Sequence, residues 1–324
     1  MVARCRPTWT AGRGNGRAAF WSTSCHEGGV KASIRVMTRE DIPQVGEILY
    51  LAFNAVAAKH GYDQRIQSLQ AGHAWARAIF VHAPRELLVA GLDHRVVGVC
   101  CLSPRGEIGG VGPVAVHPQY QGHHIGRELM NALVERAGGL TSLRLFQEAF
   151  NPASFFLYYS MGFLPVAHLL NLASTGETAL CPEPCKNVDE ASEKDLNALG
   201  EYDVQRSKLD RRGDLAHYVK WGKVLVYRAP TIRGFLACLA GSGSVQLGPL
   251  LAEGSLEAQR LFRHAVAAFA GRPCRTRVMA RDVALVRALS EFGFRLSSID
   301  TLMVRGSWIP GNHLEGFGAF PESV

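Results

Sequence analysis

Val111-Gly112-Pro113-Val114-Ala115-Val116-His117-Pro118-Gln119-Tyr120-Gln121-Gly122-His123-His124-Ile125-Gly126-Arg127 is the stretch from which the rest of the chain is read. An apolar run suited to a buried strand stops at Pro118, and a short turn of glycine and hydrogen-bonding side chains follows. From Ile125, apolar residues recur at helical spacing: Leu129, Met130, Leu133, Val134 and Ala137. Strand, tight turn and helix start in that order gather unbonded backbone N–H groups at one point, where the helix dipole is also positive. Such a point suits a phosphate or pyrophosphate, although a glycine-containing turn of this kind also occurs as a purely structural connection.

Farther along stands Asn151-Pro152-Ala153-Ser154-Phe155-Phe156-Leu157-Tyr158-Tyr159-Ser160-Met161-Gly162-Phe163. The two stretches together resemble the acetyl-coenzyme A signature of the GNAT N-acetyltransferase superfamily. In that pattern a strand ends in Val-x-Val-x-Pro and a Gln/Arg-x-x-Gly-x-Gly/Ala loop cradles the pyrophosphate. An Asn-x-x-Ala-x-x-Leu-Tyr-x-x-x-Gly-Phe segment follows. The resemblance implies that backbone groups of Val114, Ala115 and Val116 hold the pantetheine arm and polarise the acetyl carbonyl. It implies that Gln121, Gly122, His123, His124, Ile125, Gly126 and Arg127 form the phosphate turn, that Asn151 meets pantetheine, and that Tyr158 protonates the departing sulfur. Gln121 and Gly126 match the loop pattern, and His124 stands where glycine is usual. A residue there can still offer its N–H if the imidazole points away. Ser154 replaces the common alanine. Without its flanking motif, Tyr158 would read as a core aromatic near a helix end.

Acetyl transfer also needs a neutral amine and hence somewhere for its proton to go. Family members often carry a Glu on the strand before the signature, where this chain has Gly110. Glu107, at the start of that strand, is the candidate base, acting through water. His117 is the alternative, and both also read as ordinary strand-end residues. An acceptor amine of low pKa would need no strong base.

The chain also repeats itself. The hairpin Leu87–Leu102 with Gly98 returns around Val224–Cys238 with Gly234, an offset of 136 (234 − 98); Gly112-Pro113 returns as Gly248-Pro249 at the same offset (248 − 112). Gly162-Phe163 returns as Gly293-Phe294 at 131 (293 − 162), so five residues are missing in between. The phosphate turn is where they are absent: Ala252-Glu253-Gly254 runs straight into an amphipathic pattern, and Leu289 stands at the tyrosine position. The second half resembles the C-terminal domain of tandem GNAT proteins through Gly248-Pro249-Leu250, Gly293-Phe294 and Met303-Val-Arg-Gly306.

The expected fold is α/β with mixed (α+β) sheets: two tandem GNAT-like domains, each a twisted mixed β-sheet flanked by helices. Residues 1–33 form a basic leader, 34–172 the acetyl-CoA-binding catalytic domain, 173–185 a linker, 186–306 a degenerate domain and 307–324 a tail without clear period. The leader reads equally as a transit peptide or as a disordered or upstream segment outside the fold. The expected location is intracellular and cytoplasmic, or mitochondrial or plastid if the leader is a transit peptide.

At 324 residues with 47% hydrophobic content the chain fills two cores, and it has no apolar run of the ~20 residues that cross a bilayer. Its net charge of +7 is scattered, which argues against nucleic acid and suits a coenzyme with several phosphates. The eight cysteines read mostly as buried thiols in a reducing compartment, and Cys181-Pro-Glu-Pro-Cys185 has no second ligand pair for a metal. The function expected is acetyl transfer from acetyl-CoA to an amine in a ternary complex, by a monomer or homodimer with no metal, nucleic-acid or membrane partner. The acceptor class is open among small amines, amino acids, antibiotics and protein N-termini. The alternative is a non-catalytic acetyl-CoA sensor or scaffold. The second domain is expected to shape the acceptor pocket, so that a chain cut near residue 172 would still bind coenzyme.

Overall fold

The repeat at an offset of 136 is a repeat of architecture. The computed structural model describes residues 32–81, 86–177, 184–241, 243–308 and 314–317; the reading of residues 1–31 and that of Cys181 lie outside them. The first half runs β1 (Ser33–Val36), α1 (Ile42–Lys59), α2 (Leu69–Val81), β2 (Glu86–Leu92), β3 (Arg95–Arg105), β4 (Ile108–Val116), α3 (Ile125–Arg136), β5 (Ser142–Glu148), α4 (Pro152–Ser160) and β6 (Leu164–Ser174). The second half repeats that order as β7 (Val188–Glu190), α5 (Leu196–Ser207), α6 (Arg212–Trp221), β8 (Lys223–Arg228), β9 (Ile232–Ala240), β10 (Val245–Ala252), α7 (Ser255–Ala268), β11 (Cys274–Met279), α8 (Val283–Glu291) and β12 (Arg295–Gly306). A last strand, β13 (Leu314–Phe317), comes from the segment expected to be a tail.

Local chemistry repeats with the topology. The Asp41 carboxylate accepts from the Thr38 amide at 2.7 Å and from Arg35 at 2.6 Å. Asp195 accepts from the Ser192 amide at 2.8 Å and from Arg228 at 2.6 Å. Each carboxylate thus closes a capping box at a helix entry, and each is held below the usual carboxylate range by these bonds. Gly112 and Gly248 adopt φ of 140° and 141°, a conformation L side chains rarely take, and both sit at breaks in strand register.

Both halves contribute a mixed sheet flanked by helices, and the two are fused into one sheet of 13 strands. Its order is β1-β2-β3-β4-β5-β12-β6-β11-β13-β10-β9-β8-β7. The last strands are exchanged. β12 of the second half pairs with β5 of the first over Asp300–Gly306 against Glu148–Ser142, and β6 of the first half pairs with β11 of the second over Leu169–Ser174 against Met279–Cys274. The boundary expected at 172–173 therefore falls inside β6. Leu169, Met279, Leu302, Val304 and Phe317, drawn from both halves, pack as one buried cluster at the exchange. Arg105 on β3 adds a 2.6 Å ion pair to Asp214 on α6. No helix among the described residues is long and apolar enough to cross a membrane.

Candidate active site

Parallel pairing between β4 and β5 spans only Ile108–Gly110 against Ser142–Arg144. Past Gly110 the strands separate, and β4 presents an edge that no strand among the described residues covers. α1, the turn after β4, the end of β5 and α4 surround this opening and enclose a cavity of about 540 Å³. Parallel pairing between β10 and β11 also stops early, at Leu247–Thr276. There β13 fills the wedge, pairing antiparallel with β10 through Leu314–Gly316 and with β11 through Gly316 and Phe317. The opening that remains free in the first half is thus closed by the protein's own chain in the second.

The turn forms as its sequence suggests. Pro118–Tyr120 is a short 3-10 turn, and the Gln121 Nε2 donates to the Val116 carbonyl at 2.9 Å, tying the turn to the strand end. α3 then starts at Ile125, where the helical spacing of apolar residues begins. The backbone N–H groups of Gly122, Ile125 and Gly126 have no acceptor among the described residues. They stand at the positive end of a 12-residue helix, the arrangement an anionic ligand needs. His124 adopts φ 63°, the left-handed conformation for which glycine is the usual residue, and it is among the residues that line the cavity. Arg127 donates to Ser160 Oγ at 2.8 Å, fastening the start of α3 to α4.

Of the residues read as coenzyme-binding, Val114, Ala115, Val116, Gln121, Gly122, His124, Ile125, Gly126, Arg127 and Asn151 all line the cavity, and Tyr158 lines it too. His123 is exposed and is not in the wall. Glu107 is a correction: it lies in the β3–β4 turn, at the opposite end of β4 from Val116, about 30 Å away at ~3.3 Å per strand residue. Its carbonyl accepts from Thr141, and it is absent from the cavity wall. His117 does not replace it, since its Nδ1 accepts from the Gln119 amide at 3.3 Å and caps the 3-10 turn.

The carboxylate that does reach the cavity is Glu148, at the end of β5. Its side chain is 22% exposed and lies 3.0 Å from Arg65. Burial pushes its carboxyl above the usual range, Arg65 pulls it back, and Asp300 pushes it up again. The sequence signal was its place three residues before Asn151 at the end of an apolar strand. Asn151 caps α4, its Oδ1 accepting from the Ser154 amide at 3.3 Å, while Gln147 Nε2 donates to the Asn151 carbonyl at 2.8 Å. Tyr158, 8% exposed, packs edge-on to Phe163. Burial holds its hydroxyl well above the ordinary phenol pKa, with Cys100 and Glu148 adding to the shift, so it keeps its proton at neutral pH.

At Gly126, an added Cβ would sit 3.5 Å from Leu157 and 3.7 Å from Val116, ordinary contacts that tolerate alanine. Valine would add two methyls in this tight part of the cavity wall. Gly126→Val is expected to fold normally and to weaken acetyl-CoA binding at least ~10-fold by calorimetry, through crowding of the helix start. Unchanged affinity would mean that the turn is not the phosphate site.

Residues 43–163 match the Acetyltransferase (GNAT) family, and residues 202–318 match an Acetyltransferase (GNAT) domain; together they take in most of the chain. No curated protein matches the chain significantly. Among solved structures, a protein from Pyrococcus horikoshii superposes with a TM-score of 0.73 at 19% identity, covering 93% of this chain and 100% of that one. A GCN5-related N-acetyltransferase from Sphaerobacter thermophilus gives 0.61 at 14%, over 87% and 98%. A tandem GNAT protein from the clavulanic acid biosynthesis pathway gives 0.59 at 14%, over 86% and 100%. At these identities the likeness is one of fold.

Proposed function

Since the chain belongs to the GNAT acetyltransferase family as a tandem of two such domains, we propose that its first half moves an acetyl group from acetyl-CoA to an amine within a ternary complex. The observation that carries this reading is the meeting, in one cavity, of β4's uncovered edge, the anion-binding helix start, a protonated tyrosine and a carboxyl of raised pKa. The coenzyme supplies the acetyl group as a thioester. The N–H groups at Gly122, Ile125 and Gly126 hold its phosphates, and the free edge of β4 directs backbone N–H toward the acetyl oxygen. Tyr158 holds the proton that the departing sulfur requires. Glu148 accepts the proton that the attacking amine loses, a task for which a carboxyl shifted toward neutrality is suited. Glu148 stands as the base that Gly110 cannot be, which favours the enzyme over a non-catalytic sensor.

Thiol release from acetyl-CoA, followed with a thiol-reactive dye against small amines, amino acids, amine antibiotics and peptide N-termini, tests this reading. Coenzyme binding without thiol release or acetylated product from any acceptor class would favour the sensor instead. Calorimetry is expected to give one acetyl-CoA per chain, because the second half lacks the turn and β13 fills its wedge. Two equivalent sites would contradict that assignment.

A further inference from the structure

Glu148 is the first member of a row of polar groups that leaves the cavity and crosses into the second half. β12 places Asp300 directly opposite it in the antiparallel pairing. Arg65, beside Glu148, also donates through Nη2 to Ser298 Oγ at 3.2 Å. Asn171 Nδ2 on β6 donates to the same Oγ at 3.1 Å. Arg277 Nε on β11 donates to Asn171 Oδ1 at 2.8 Å and lies 3.1 Å from Asp300 Oδ2. The row therefore spans β5, β12, β6 and β11, the four strands of the exchange. Asp300 is 3% exposed and neither it nor Arg277 lines the cavity.

This row is costly. Asp300 Oδ1 and Arg277 Nη1 are buried without hydrogen-bond partners, and apolar side chains would fill the same volume at lower cost. What it provides is a balance of charge at Glu148. Arg65 alone would capture that carboxylate as half of an ordinary ion pair, too weakly basic to take a proton from an amine. The charged groups acting on it come from three elements: Arg65 from the segment between α1 and α2, Asp300 from β12 and Arg277 from β11; the protonated Tyr158 of α4 lines the same cavity.

We propose that Asp300 is a positioning residue for Glu148, acting across the β5–β12 pair to offset Arg65 and leave the Glu148 carboxyl free to exchange a proton with the acceptor. The second half thereby takes part in the first half's chemistry through an exchanged strand. This rests on Glu148 being the base. The direction of each influence follows from its sign: burial and the Asp300 charge favour the protonated acid, while Arg65 and the more weakly acting Arg277 favour the carboxylate.

The test is a carboxyl-carbon NMR titration of the full-length, coenzyme-free protein, with the Glu148 signal assigned by its loss in Glu148→Gln. Asp300→Asn is expected to move that titration to lower pH by about half a unit or more, and to move the acid limb of kcat/KM the same way. If Asn at 300 leaves Arg277 too poorly paired to fold, the double variant Asp300→Asn/Arg277→Gln removes the pair as a unit. It should give a smaller shift in the same direction. A Glu148 titration that stays in place in these variants, while Glu148→Gln abolishes the acid limb, overturns the inference and leaves the base intact. Full turnover and an unchanged acid limb in Glu148→Gln would remove the base, and the inference with it.

Discussion

Tyr158→Phe is expected to lower kcat by ~10²–10⁴-fold, the usual worth of a positioned acid, while acetyl-CoA affinity stays nearly unchanged. The ring is buried and packed on Phe163, and phenylalanine keeps that packing. The hydroxyl makes no hydrogen bond among the described residues, so its loss leaves no partner stranded and costs little stability. Only the proton for the departing sulfur is removed. Tyr159→Phe is the control, because Tyr159 is half exposed and stacks on Phe155 outside the cavity wall. Equal losses of binding and turnover at Tyr158 would make it a packing residue instead.

The second large effect concerns the division between the halves. A chain ending near residue 172 is expected not to fold, in contrast to what the motif pattern implies. The cut removes β12 from the edge of β5 and β11 from the edge of β6, and it takes Met279, Leu302, Val304 and Phe317 out of the central cluster. At ~1.5–3 kcal/mol for each buried side chain, these four alone are on the order of 10 kcal/mol, comparable with the net stability of a whole domain. The exposed edges would also invite aggregation. Circular dichroism melting and acetyl-CoA calorimetry check this. A truncated chain that melts cooperatively and binds coenzyme as the full chain does would show that the exchange is dispensable.

The two stretches that carry the signature were legible because each is a local event: a strand ending at a proline, a helix beginning where amides are free, a capping Asn seven residues before a tyrosine. The repeat was legible because Gly112 and Gly248 are held to one backbone conformation, and glycine at such a place leaves a mark in the sequence. Strand exchange leaves none. The period of two in β6 and β12 reports which face is buried and says nothing about which neighbour completes the ladder. Glu148 was missed for a related reason. The signature points along β4, its neighbour in sequence, whereas β5 diverges from β4 and brings its own last residue to the opening. The segment ending in β13 is too short and too rich in glycine to show a period, and only the wedge between β10 and β11 makes it a strand.

The order of strands also bears on how the protein is made. The edge of β5 receives its partner from roughly 150 positions farther along the chain, and at ribosomal speeds that interval is on the order of ten seconds. Throughout it, a nearly finished first half emerges with an open edge and an apolar strand, β6, waiting for β11. Its maturation is therefore post-translational, slowed by the distant pairing, and dependent on whatever shields nascent chains from one another. A message interrupted before β12 leaves the edge of β5 unpaired, so its product is expected to misfold rather than to bind coenzyme.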